Sequence, residues 1–235
     1  MKTVLFSILI AISSYLFGSI STGLIIGKMN GVDLRNAGSN NTGASNAMRV
    51  MGLKIGLMTY AGDFLKTAIP MTIAALLLPG KTYDIPRFSL LLSGLFVVIG
   101  HNWPVYYHFK GGKGVTCSSA VILFINPLIG AISIAVFFLV LSIWKYISVG
   151  SMCMLAANLI ATVILLPNEP YTIAFAGILL IFSIIRHRTN IQRLINGNEN
   201  KISKKFIERA KIIVRIFAIS NDRMTGTREM CSNLV

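Results

Sequence analysis

Acidic residues are scarce in this chain: eight Asp and Glu stand against 22 Lys and Arg, for a formal net charge of +14. Charge of either sign is thin, at 13% of residues, where soluble domains carry about 25%. Hydrophobic residues make up 54%, and mean hydropathy is +0.70. A soluble protein of this composition could not cover its own surface, which excludes the soluble classes. Cysteine is also rare. Cys117, Cys153 and Cys231 are odd in number and no two have metal-ligand spacing. Neither a disulfide framework nor a zinc site is expected, and the thiols read as small packing residues. The short alternating strands of a membrane barrel are missing. No basic–aromatic surface of the nucleic-acid kind is present. The positive excess therefore points to anionic head groups or anionic substrates.

What the chain does have is a series of long apolar runs. They predict an all-α, polytopic membrane protein with one embedded domain over residues 1–199. A helix needs about 20 apolar residues to cross a bilayer. Met1-Lys2 and the run after it mimic a signal peptide. The chain continues Gly18-Ser19-Ile20-Ser21-Thr22-Gly23 with no A-x-A-like site, so the run reads as a retained first span at 4–26. Its small residues allow close helix packing, or loosen the helix end beside a polar site. Further spans are expected at 55–78, 88–106, 149–166 and 171–185. Asp63 and Lys66 share one face of the second span. At that depth they must pair or face a polar cavity, as a structural ion pair or in catalysis. His101 and His108 read as part of an aromatic interfacial rim with Trp103, Tyr106 and Tyr107.

Residues 115–144 are too long for one straight span and short for two, with Asn126-Pro127 as a break. Two crossings, the first short and tilted or partly re-entrant, keep the basic segments on one side. That gives about seven transmembrane helices, with the N-terminus outside and the C-terminus cytoplasmic. In residues 200–220, Lys201, Lys204, Lys205, Arg209, Lys211 and Arg215 interleave with Ile and Phe. This predicts a basic amphipathic helix on the cytoplasmic leaflet. Residues 221–235 read as a flexible tail.

Three polar segments fall on the cytoplasmic side. The first is Gly38-Ser39-Asn40-Asn41-Thr42-Gly43-Ala44-Ser45-Asn46-Ala47-Met48-Arg49. Such a run is either a solvated connection or a nest of N–H groups that holds an anion. The second is Lys110-Gly111-Gly112-Lys113-Gly114, a glycine-rich turn before an apolar helix. Its glycines let backbone N–H groups approach an anion at a helix N-terminus. It is not a Walker A sequence, so nucleotide binding is not implied. The third runs from Arg186-His187-Arg188 through Asn190 to Leu194. Flanking cations disfavour a charged His187, and a neutral imidazole is what a general base requires. The alternative is a lone interfacial histidine. The sequence has no G-x-S-x-G, no Cys–His couple and no H-x-x-x-x-D motif of the acyl-CoA-dependent acyltransferases. The site thus reads as one that binds phosphorylated groups, with one candidate base and no protein nucleophile.

These motifs resemble a known family, the bacterial membrane glycerol-3-phosphate acyltransferases that use acyl phosphate as donor. The resemblance runs from Tyr15-Leu16-Phe17-Gly18-Ser19-Ile20 through Gly31-Val32-Asp33-Leu34-Arg35 and the first loop. It continues through Asp63-Phe64-Leu65-Lys66, Gly100-His101, Phe109 to Val115, and Arg186-His187-Arg188 with Asn190-Ile191 and Arg193-Leu194, up to about Glu199. It implies an inner-membrane enzyme with no metal or coenzyme. Such an enzyme acylates position 1 of sn-glycerol 3-phosphate from acyl phosphate and releases phosphate and lysophosphatidic acid. By the family's pattern, Ser39, Arg49 and Lys113 hold substrate phosphate, with Asn41 and Asn46 in the same loop. Gly111, Gly112 and Gly114 shape the second loop, His187 and Asn190 line the reaction centre, and Glu199 closes the third motif structurally. The partners implied are the two substrates and membrane lipids, with a transient contact to the cytoplasmic enzyme that makes the donor conceivable at the tail. Asn40 stands where the family usually has glycine; if that position needs positive φ, Asn is among the least costly substitutes.

A transporter for a small phosphorylated anion is the competing reading. It should place its charges near the bilayer midplane with access from both faces. Here the three polar motifs share one face, and only Asp63 and Lys66 lie deep.

Overall fold

The computed structural model describes residues 1–202. Nearly all of the expected interfacial helix at 200–220, and the whole tail at 221–235, lie outside the described residues. The elements run α1 (Lys2–Ser19), α2 (Thr22–Met29), α3 (Ala44–Met51), α4 (Leu53–Leu77), β1 (Lys81–Thr82), β2 (Ile85–Pro86), α5 (Phe88–Asn102), α6 (Val115–Ile125), α7 (Pro127–Trp144), α8 (Ile147–Leu165), α9 (Pro170–Arg186) and α10 (Arg188–Ile195). The all-α expectation holds, with one short hairpin beside the helices. β1 and β2 form an antiparallel ladder of two residues each, closed by Tyr83 and Asp84 at φ 52° and 58°. Two left-handed central residues match the twist of such a hairpin.

The exposed faces are those of a protein in an apolar solvent. Leu5, Ile8, Leu9 and Ile12 on α1, Phe138 and Leu139 on α7, and Ile160 and Ile164 on α8 all point outward. The interior combines an apolar cluster, including Met71, Val97, Val121, Leu155 and Leu179, with buried Ser, Thr and Asn side chains. Lipid supplies no hydrophobic drive between helices, so close approach and hydrogen bonds hold them instead. The α1–α5 seam shows both. A β-carbon on Gly18 would fall on the Val97 backbone, and one on Gly100 would fall on the Tyr15 carbonyl. Ser14 and Ser93 bond at 2.8 Å, and the Tyr15 hydroxyl donates to the Trp103 carbonyl at 3.0 Å.

Among the described residues, four helical stretches are long and apolar enough to cross a bilayer: Lys2–Met29, Phe88–Tyr107, α7 and α8. The pair α9 and α10 is bent by 59°. The first stretch is broken rather than continuous, because Ile20 and Ser21 take extended backbone at ψ 116° and 94°. The 115–144 region divides at Asn126, whose side chain accepts from the N–H groups of Leu128 and Ile129 and caps α7 ahead of Pro127. The 11 residues of α6 span roughly 16 Å, about half the hydrocarbon thickness. α4 runs unbroken for 25 residues with Asp63 and Lys66 buried in it. The placement of His101 in an aromatic rim is overturned. It is buried inside the bundle, 2.9 Å from Lys66 Nζ, because the last turn of α5 faces α4 rather than lipid or water. His108 is exposed.

Candidate active site

The first polar loop is organised around Asn46, which is fully buried in the first turns of α3. Its Oδ1 accepts from the Ser39 N–H at 2.7 Å and the Ser39 hydroxyl at 3.1 Å. Its Nδ2 faces three carbonyls, those of Leu34, Ala37 and Asn41, at 3.2, 2.9 and 2.8 Å. Burying an amide requires such partners, so the segment folds about one side chain. Asn41 closes a smaller turn by accepting from the Gly43 N–H at 2.9 Å. Asn40 sits at φ 57°, the left-handed region where Asn is tolerated after Gly. Arg49, in the last turn of α3, is exposed and feels the charges of Glu199 and Arg193.

The glycine-rich turn lies across the end of α5. Gly112 donates its N–H to the His101 carbonyl at 3.0 Å. A β-carbon on Gly112 would fall on the His101 ring, and one on Gly114 (φ 75°) would meet the Asn102 amide. Larger residues would therefore lift the turn off the helix. Arg186, from the end of α9, donates to the carbonyls of Gly111 and Gly112 at 2.7 and 2.8 Å. Its guanidinium also lies 5.6 Å from the centre of the Trp103 ring. With both carbonyls pinned by Arg186, the second and third motifs become one unit.

Lys113 continues that unit. It donates to Asn190 Oδ1 at 2.5 Å, and Asn190 Nδ2 donates to Glu199 Oε1 at 2.7 Å. Ser148 at the start of α8 donates to the same oxygen at 2.9 Å, and Arg193 donates to Oε2 at 3.0 Å. Burial raises the Glu199 pKa, but these three donors outweigh it and hold the carboxyl below its usual range. Burial also lowers Lys113, with Arg193, Arg49 and Arg186 adding to it against the pull of Glu199, to about 8. An anion bound here would stabilise its cationic form.

His187 occupies the bend between α9 and α10 and is 2% exposed. Its Nδ1 lies 2.8 Å from the Ser183 carbonyl. A carbonyl only accepts, so Nδ1 carries the hydrogen and Nε2 keeps its lone pair. Burial first, and then the nearby Lys113 charge, lower its pKa to about 4 despite that hydrogen bond. The ring is neutral at pH 7, with its basic nitrogen opposite the anchored one.

Between the first loop and the glycine-rich turn lies a cleft of about 650 Å³, walled by residues including Arg35, Asn40, Thr42, Lys110, Arg186 and Arg188. Its size suits a small-molecule site. Of the sequence-predicted site residues Gly111 lines this cleft; Lys113 of the same turn meets Asn190 directly, and His187 is linked to Lys113 through charge. Arg49 joins them through its charge, while Ser39, Asn41 and Asn46 bond chiefly within their own loop. Sequence reasoning missed the anchoring roles of Ser148, Ser183 and His101. A serine or histidine in an apolar helix gives no signal of which neighbour it will meet.

The sequence model described as glycerol-3-phosphate acyltransferase matches residues 8–197. A glycerol-3-phosphate acyltransferase of Bacillus subtilis is 40% identical over 199 residues, covering 83% of this chain and 96% of its own. One of Desulfotalea psychrophila is 43% identical over 193 residues, covering 82% and 96%. Among solved structures, the glycerol 3-phosphate form of PlsY, an integral membrane glycerol 3-phosphate acyltransferase, superposes with a TM-score of 0.78 at 33% identity. It covers 86% of this chain and 98% of that one. The lysophosphatidic acid form gives 0.75 at 32% identity, covering 86% and 97%. Together with the helical bundle and the joined second and third motifs, these likenesses show that the chain belongs to the glycerol-3-phosphate acyltransferase family.

Proposed function

We propose that this membrane acyltransferase moves an acyl group from acyl phosphate to the position-1 hydroxyl of sn-glycerol 3-phosphate, giving lysophosphatidic acid and inorganic phosphate. The observation that carries the mechanism is the neutral, anchored His187 beside the Lys113–Asn190 pair. His187 Nε2 takes the hydroxyl proton as the oxygen attacks the acyl carbonyl. The bond between that carbon and the phosphate oxygen breaks, and phosphate leaves with the electron pair. Phosphate is a good leaving group, so no protein nucleophile and no metal is needed.

Arg49, Lys113 and the N–H groups of the Gly111–Gly114 turn hold substrate phosphate, since charge-assisted hydrogen bonds are the strong ones. Ser39 adds its hydroxyl when it exchanges Asn46 for a phosphate oxygen. Asn46 and Asn41 act by shaping the loop, because their hydrogen bonds tie it to itself and to the carbonyls of Leu34 and Ala37 just before it. Asn190 orients Lys113 toward the reaction centre, and Glu199 orients Asn190. The cleft beside Arg186 admits the polar substrate, while the acyl chain stays among lipid tails.

The same reading gives about seven crossings in a bacterial inner membrane, with the N-terminus outside and the site facing the cytoplasm. Basic loops favour that side. The sequence beyond residue 200 is rich in Lys and Arg, which suits attraction to anionic head groups, a simpler account of it than contact with the enzyme that makes acyl phosphate.

The test is purified protein in liposomes, given acyl phosphate and labelled glycerol 3-phosphate. Labelled lysophosphatidate forming without coenzyme A or ATP is the expected result. Product formed only from a thioester donor refutes the donor assignment. Uptake of intact glycerol phosphate without acylation refutes the enzyme reading in favour of a transporter.

A further inference from the structure

Asp63, Lys66 and His101 touch none of the reacting groups proposed above, yet they form a polar knot inside the bundle. Asp63 and Lys66 are three residues apart on α4, and His101 is in the last turn of α5. They are 1%, 6% and 7% exposed. The Lys66 ammonium is hydrogen-bonded to the Ile20 carbonyl at 2.6 Å and to His101 Nδ1 at 2.9 Å, and it is ion-paired with Asp63 Oδ1 at 2.8 Å. An ammonium only donates, so His101 Nδ1 accepts and the ring hydrogen sits on Nε2. The Ile20 carbonyl is available because the chain is extended between α1 and α2.

The knot reaches the glycine-rich turn through His101. Its carbonyl accepts the Gly112 N–H, and its Nε2 edge lies where a Gly112 β-carbon would go. Arg186 holds the two glycine carbonyls. Lys113 is the next residue along, and it reaches Asn190. A buried ion pair is often matched or bettered by apolar residues of similar volume, and ionisable groups inside a membrane are costly.

We propose that Asp63, Lys66 and His101 are positioning residues: Asp63 holds the Lys66 ammonium, Lys66 fixes the His101 ring, and His101 sets the Gly111–Gly112 turn that delivers Lys113 to substrate phosphate. The inference rests on the reading of Lys113 as a phosphate grip.

The experiment uses the full-length protein purified in detergent, as the Asp63→Asn/Lys66→Met double variant, His101→Ala, Gly112→Ala, and His101→Ala/Gly112→Ala. Lys113→Ala is the control. Steady-state kinetics with glycerol 3-phosphate are read beside thermal melting. The Asp63→Asn/Lys66→Met and His101→Ala proteins should each raise KM about tenfold while kcat changes less than about threefold, as coupling through one network predicts. Melting should not explain the loss. Gly112→Ala should raise KM in the native background and have a smaller effect once the His101 ring is gone. Unchanged KM in the folded knot variants, or fully additive effects of His101→Ala and Gly112→Ala, would overturn the inference. If the double variant does not fold, the His101–Gly112 pair decides by the same criteria. Unchanged KM in Lys113→Ala refutes the phosphate grip itself. Raised KM in Lys113→Ala with unaltered knot variants refutes only the positioning role.

Discussion

Lys66 and Lys113 are both held in polar networks, but their ammonium groups are used differently. Lys66 sits in the apolar interior, enclosed by the Ile20 carbonyl and His101 Nδ1, to which it is hydrogen-bonded, and by the carboxylate of Asp63, with which it is ion-paired. Lys113 sits at the polar end of the bundle, and among the described residues it donates to Asn190. A closed shell of acceptors fixes geometry and leaves nothing for a ligand. An open shell keeps hydrogens for a phosphate, at the cost of a charge that burial disfavours until an anion arrives. The same contrast separates the histidines. His101 spends Nδ1 on Lys66 and turns its other edge to Gly112, whereas His187 anchors Nδ1 on a carbonyl and keeps a basic Nε2.

That contrast breaks most sharply at His187. His187→Ala should lower kcat by about 10²- to 10⁴-fold, the usual worth of general-base catalysis, with KM little changed and a lowered melting temperature from the cavity left by a buried ring. Stopped assays over a range of glycerol phosphate concentrations measure this. Normal turnover would move proton removal to the substrate's own phosphate or to water. Next come Arg49→Ala and Lys113→Ala. Each removes a charge-assisted contact worth about 1.5–3 kcal/mol, so KM for glycerol phosphate should rise roughly ten- to a hundredfold. Unchanged kinetics in both would take the open shell out of the site.

Titration sharpens the same point. Burial holds Lys113 at about 8, so its cationic form is complete below that pH and lost above it. KM for glycerol phosphate should therefore climb by up to about tenfold near pH 9. Lys113→Arg should flatten the climb, because guanidinium stays charged. The smallest effect belongs to Asn40→Gly. Asn already tolerates the left-handed backbone there, so glycine should alter kcat/KM less than about twofold and stability by only a few tenths of a kcal/mol. A larger gain in activity would mean that the asparagine distorts the loop.

Much of the site was legible because it is written in the wrong alphabet for its surroundings. In a chain that is 54% hydrophobic, a run such as Gly38–Arg49 or Lys110–Gly114 marks itself. The expectation that they share one side rests on the distribution of basic residues, and the family was legible in three ordered motifs. The break in the first span was only half legible: its small residues suggested a loosened end, while the extended Ile20 depends on Lys66 from another helix. His101 was misread for the same reason. Its neighbours in sequence are interfacial aromatics, but its neighbours in space are Asp63 and Lys66.

The sequence by itself determined the solvent this protein lives in, its helical class and the residue types at its reactive end. Composition and periodicity carry that information locally, because each apolar run must meet lipid or another helix. The tertiary structure alone decided the partners. Asn46 became the hub of a loop rather than one polar residue among many. Arg186 became the clamp on two glycine carbonyls. The Ser183 carbonyl chose the tautomer of His187. Hydrogen bonds are directional and short-ranged, so which donor meets which acceptor is settled only when helices distant in sequence are packed together.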